Sequence, residues 1–119
     1  MKASEARQRI EKLISLFSEL YDLVHEEPES PNLSQRCREL TAEAAREVGF
    51  LDSILDRWTK RMMPWGQDAR PTDMFRESLA IDSAFGSGIL MHAIAELRIA
   101  LAKIEKAVNG DWSCELDET

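Results

Sequence analysis

The sequence predicts an all-α fold, a bundle of three long helices completed by dimerisation. Three observations lead to it. Apolar residues recur three and four positions apart along most of the chain, the period of one helix face. Only five Gly and four Pro occur in 119 residues, most of them in two short stretches, an economy of breakers that suits a few long helices better than many short strands. From Ser83 to Ala95 there is no Asp, Glu, Lys or Arg, so the last segment carries apolar surface on more than one side.

The first helix is expected over 4–26. Ala6, Ile10, Leu13, Ile14, Phe17, Leu20, Tyr21 and Val24 fall on a stripe about 120° wide at 100° per residue. Leu16 and Leu23 widen it on one flank. On the solvent side, Glu5 with Arg9 and Arg7 with Glu11 are opposite charges one turn apart. Glu27-Pro28-Glu29-Ser30-Pro31 then ends the helix, since two prolines and a polar run do not continue it.

The second helix is expected over 33–62, with Asn32 as its cap and Gln35 three residues on in a capping-box pattern. Leu33, Cys37, Leu40, Ala44, Val48, Leu51, Leu55, Trp58 and Met62 share an arc of about 80° on the helical wheel. The phase holds through Gly49, which projects to the opposite side, so the reading is one unbroken helix. A glycine there costs about 1 kcal/mol relative to alanine, and the shared apolar seam offsets it. A break at Gly49 is the rival reading.

Pro64 and Pro71 bracket the second connection, and Thr72 with Asp73 begins the third helix. That helix is expected over 73–108, continuous or kinked at 86–88 where Gly86-Ser87-Gly88 falls. Leu90, Ile94, Leu97, Leu101, Ile104 and Val108 alternate four and three apart, the seam of a helix bundle. A second stripe, Ile81, Phe85, Gly88, His92, Ala95, Ile99 and Ala102, runs on the other side. A helix apolar all round is a buried helix, so this one is expected at the centre. Asn109-Gly110 accepts the left-handed conformation that ends it. The domain organisation is thus a single helical domain over 1–110 and an acidic, flexible tail over 111–119, in which Trp112 is placed to dock.

Composition narrows the function classes. The chain is 44% hydrophobic and 31% charged with a net charge of −7, and its pI is near 4.8. That balance opposes binding of nucleic acid or anionic membrane over the whole surface, which needs Lys and Arg. The two cysteines, Cys37 and Cys114, are too few for a disulfide framework and lack partners at metal-ligand spacing. Charges appear at once after Met1, with no apolar leader core. No stretch approaches the roughly 20 apolar residues of a membrane span. The expected compartment is the cytoplasm.

Three constellations bear on chemistry. Glu39, Glu43 and Glu47 stand one turn apart on the second helix, and such carboxylates share a divalent cation in all-α hydrolases when facing helices add further ligands. Here no Glu-x-x-His occurs, and Phe50 stands where the pyrophosphohydrolase pattern wants an Asp after Glu47. Arg36 and Arg46 lie close enough to neutralise the ladder, so no metal and no cofactor are expected. His25 and His92 are the two histidines, and neither has a nucleophile or an orienting acid assigned to it by spacing. The segment 57–70 is different. Arg57, Lys60, Arg61 and Arg70 outweigh Asp68 there, with Trp65 in a Pro-bounded loop, a basic tip able to grip phosphates and stack a base or to receive an acidic partner.

The expectation is therefore a non-enzymatic helical interaction module, a small regulatory, inhibitory or accessory subunit with a protein partner. Its partner-binding residues would be Arg57, Lys60, Arg61, Trp65 and Arg70. Its homodimer interface would be formed by Phe50, Ile54, Ile81, Phe85, His92 and Ile99. One alternative is a helical subunit of a nucleic-acid-handling complex contacting the phosphate backbone through 57–70. Another is a metal-dependent all-α hydrolase built on the glutamate ladder.

Overall fold

A computed structural model describes residues 1–26, 31–58 and 86–116. Among them the chain is all-helical: α1 (Ala3–Glu26), α2 (Pro31–Phe50), α3 (Asp52–Trp58) and α4 (Gly86–Ala107). Residues 59–62 of the expected second helix and 73–85 of the third lie outside the described residues. None of the described helices is long and apolar enough to cross a membrane.

The element at the centre of the described fold is α1, which packs along both α2 and α4, while the short α3 packs against α4. Its apolar stripe explains this. Ala6, Ile10, Leu13 and Phe17 are fully buried, with Leu16 and Leu20 nearly so. Two adjoining faces of one helix are thereby shared between two neighbours. From α2 and α3 the core receives Leu40, Ala44, Val48, Leu51, Ile54 and Leu55, and from α4 it receives Leu90, Ala93, Ile94, Leu97 and Ile104.

The expected unbroken second helix is interrupted at Leu51, a single turn residue between α2 and α3. Helical hydrogen bonding nevertheless passes through it. The Leu51 amide donates to the Glu47 carbonyl at 3.0 Å, and the Leu55 amide donates to the Leu51 carbonyl at 2.7 Å. The apolar phase survives for that reason, and Leu51 remains fully buried. Gly49, the position that invited a break, is helical, and its surroundings hold nothing within 4 Å of where a Cβ would sit.

Burial of the last helix on all sides is not what the structure shows. The described part, α4, is helical through Gly88 and buries the seam facing α1 and α3. Its other stripe is open: His92, Ala95, Ile99 and Ala102 are exposed, and so is Met91 beside them.

The end of α4 is closed by local chemistry. Asn109 and Gly110 have φ of 53° and 75°. The Gly110 amide donates to the Glu105 carbonyl at 3.0 Å, and the Asn109 amide donates to the Lys106 carbonyl at 3.2 Å, the paired bonds of a Schellman ending. Residues 111–116 then turn back to the start of α1 instead of trailing off. The amides of Ala3 and Ser4 donate to the carbonyls of Cys114 and Trp112, both at 2.8 Å. First-turn amides of a helix lack intrahelical partners, and here the returning backbone supplies them. The Leu116 amide donates to the Met1 carbonyl at 2.8 Å, and Leu116 itself is buried. Trp112 docks as placed by the sequence, half-buried under the Arg7 guanidinium at 4.8 Å.

Candidate functional surface

Two regions of the described fold carry unusual chemistry: the charged seam between α1 and α2, and the outer face of α4.

The glutamate ladder belongs to the first. Glu47 is one of two buried charged residues among those described. Arg9 Nη1 donates to its Oε2 at 3.3 Å, and Lys12 Nζ donates to its Oε1 at 3.3 Å. Lys12 also reaches Glu43 at 3.2 Å, and the two carboxylates hold its ammonium charged to higher pH than usual, the hydrogen bond to Glu43 being the largest single cause. Glu39 lies 3.6 Å from Arg36, whose stronger partner is Glu19 on α1 at 2.6 Å. Hydrogen bonding to Glu19 is the main cause of the raised Arg36 pKa. Neutralisation of the ladder was expected from Arg36 and Arg46 on the same helix. Arg36 does take part, but the cations on Glu43 and Glu47 come across from α1. Among the described residues no group of three or more His, Cys, Asp or Glu is arranged to hold a metal ion.

Two expected solvent-side pairs are present as well. Arg7 lies 3.0 Å from Glu11 and Arg9 lies 3.7 Å from Glu5. A further ring contact seats the Arg9 guanidinium over Phe50 at 4.6 Å.

The outer face of α4 differs in every respect. At 100° per residue, Met91, Ala95, Ile99 and Ala102 fall within an arc of about 80°, opposite the buried seam. Met91 is 56% exposed and Ile99 39%. His92 flanks this strip on one side, with Lys103 beyond it; Arg98 and Glu105 flank it on the other. The strip continues into a groove of about 320 Å³ between α1 and α4, lined by Ser18, Tyr21, Asp22, Met91, Ile94, Ala95 and Arg98. Apolar walls with a few polar groups at the rim are the usual make-up of a docking surface.

The sequence-predicted site residues are thus scattered. His92 and Ile99 lie on the outer face of α4. Phe50 is 62% exposed but sits on α2, beneath Arg9. Ile54 is 1% exposed in the core of its own chain, because α3 packs on α4 and buries a wider arc than α2 alone would. Ile81 and Phe85 lie outside the described residues, as do Lys60, Arg61, Trp65 and Arg70. Arg57 is exposed, 5.6 Å from the Trp58 ring. Sequence reasoning missed Met91, which belongs to neither stripe by spacing. Its signal was its place inside the charge-free run 83–95.

The remaining described thiols are separate from both regions. Cys37 is half-buried against the core, and Cys114 is exposed. Asp111 accepts from the Ser113 hydroxyl and amide at 2.6 and 3.1 Å and lies 3.5 Å from the Cys114 thiol. Those bonds, the Ser113 hydroxyl first, lower the Asp111 pKa, and the nearby carboxylate raises that of Cys114. Comparison with known proteins adds no relative: no family profile, curated protein or solved structure matches the chain.

Proposed function

We propose that this chain is a non-enzymatic helical interaction module that binds a protein partner through the outer face of α4, in a regulatory, inhibitory or accessory role. The observation that carries the proposal is the exposed strip Met91, Ala95, Ile99 and Ala102 on a helix whose opposite side is core. Exposed apolar area gains free energy only when something covers it, about 25 cal/mol per Å² removed from water, and contiguous exposed apolar surface marks interaction sites. Two alanines in the strip leave room for another backbone to approach closely.

The glutamate ladder supports this reading over a metal-dependent hydrolase, since its buried carboxylate, Glu47, is engaged by Arg9 and Lys12. The nucleic-acid reading rests on the basic segment 57–70, of which Arg57 and Trp58 are the described residues nearest the tip.

A photo-crosslinking residue placed at Met91 or Ile99 tests the proposal in cells. Crosslinks of one defined mass are expected from both positions and none from Ala45 on the outer side of α2. Adding Ile99→Glu to the Met91 crosslinker should abolish them. Equal crosslinking from Ala45, or products indifferent to Ile99→Glu, would contradict it.

A further inference from the structure

The outer face of α4 is also complementary to itself. Arg98 and Glu105 are seven positions apart, about two turns, and both lie on one flank of the strip. Both are exposed, and neither has an ion-pair partner among the described residues. The opposite flank carries Lys103, and Lys106 falls in line with the strip itself, one turn beyond Ala102.

We infer that the partner seated on this face is a second copy of the same chain, packed antiparallel about a two-fold axis that places Arg98 against Glu105 of the other copy, twice over. The inference deepens the proposed function and rests on it. Orientation follows from charge. When two like helices pack antiparallel, each flank meets the same flank of its partner. Arg98 then meets Glu105 and Glu105 meets Arg98, as a two-fold interface requires. A parallel copy would instead bring this flank against the one bearing Lys103, which stands two residues from Glu105 and five from Arg98. It would pair Glu105 but leave both arginines without a carboxylate, whereas the antiparallel copy pairs all four charges of this flank, its one like-charge approach being Lys103 to Lys103 on the opposite flank. In the antiparallel register Ile99 and Ala102 lie next to the axis. There an isoleucine from one copy packs over the alanine of the other.

The test is solution mass by light scattering across a concentration series, for the wild type and four variants. The wild type should reach twice the 13.6 kDa chain mass. Arg98→Glu and Glu105→Arg should each weaken association by about tenfold, since each replaces two attractions with two repulsions at the rim. The double variant Arg98→Glu/Glu105→Arg should return to within about threefold of wild type, as restored pairing requires. Ile99→Glu should be monomeric.

A wild type that stays at 13.6 kDa throughout overturns the second copy as partner and leaves the crosslinking test of the face to stand by itself. A dimer that Ile99→Glu breaks but the double reversal does not restore overturns the antiparallel pairing while the face survives. A dimer indifferent to Ile99→Glu overturns both.

Discussion

The α1–α2 seam hides a carboxylate from water, whereas the outer face of α4 leaves an isoleucine and a methionine in it. Each reverses the ordinary preference of its residue types, and the reasons differ. Glu47 is buried against a cation at each carboxylate oxygen, so its lost hydration is made up within the chain. Met91 and Ile99 have no such compensation within the described fold. The contrast teaches which anomaly is structural and which is functional: a buried charge satisfied by its own chain holds helices in register, and an exposed apolar strip serves something outside it.

Substitutions on the two sides should separate accordingly. The largest loss is expected where α1 meets both neighbours. Phe17→Ala removes a fully buried ring and should cost about 3–5 kcal/mol of unfolding free energy in urea. Glu47→Ala should cost about 1–3 kcal/mol, because Arg9 and Lys12, one turn apart on α1, lose the carboxylate that pairs them across the seam. Their partial exposure keeps the figure below that of a deeply buried pair. Ile99→Ser, measured at concentrations where the chain is monomeric, should change stability by less than about 0.5 kcal/mol. A loss as large as that of Phe17→Ala would show that α4's outer face is core. The smallest effect has the opposite sign: Gly49→Ala should stabilise by about 0.5–1 kcal/mol in the same unfolding experiment, since the added methyl meets nothing within 4 Å.

Much of the fold was legible in the sequence because side chains report helix faces. The stripe of α1 and the Leu90-to-Val108 seam were read directly from spacing, and the bounds of α1 agree to within a residue. The interruption at Leu51 was not legible, since the phase of the apolar positions is the same on both sides of it. Glu47 was read as a surface ladder residue. On the helical wheel it sits on the same flank as Ile54, two turns away, and only the packing of α1 and α4 against that flank buries both. The return of residues 111–116 to the start of α1 was hidden for another reason. It is made largely of backbone carbonyls capping backbone amides, which leave no side-chain signature beyond Trp112 and Leu116. At the candidate surface, the second stripe was recognised, but its exposure depends on α4 meeting α1 and α3 on one side alone.

The central claim is that α4's outer face is covered in the working protein. Thiol labelling of Ala95→Cys, with Ala45→Cys on α2 as the exposed reference and Cys114→Ser in both, measures this directly. As protein concentration rises, labelling at position 95 should slow by about tenfold or more while position 45 keeps its rate, the protection expected once most chains are associated. Equal and concentration-independent rates at the two positions, in purified protein and in cell extract alike, would contradict the account.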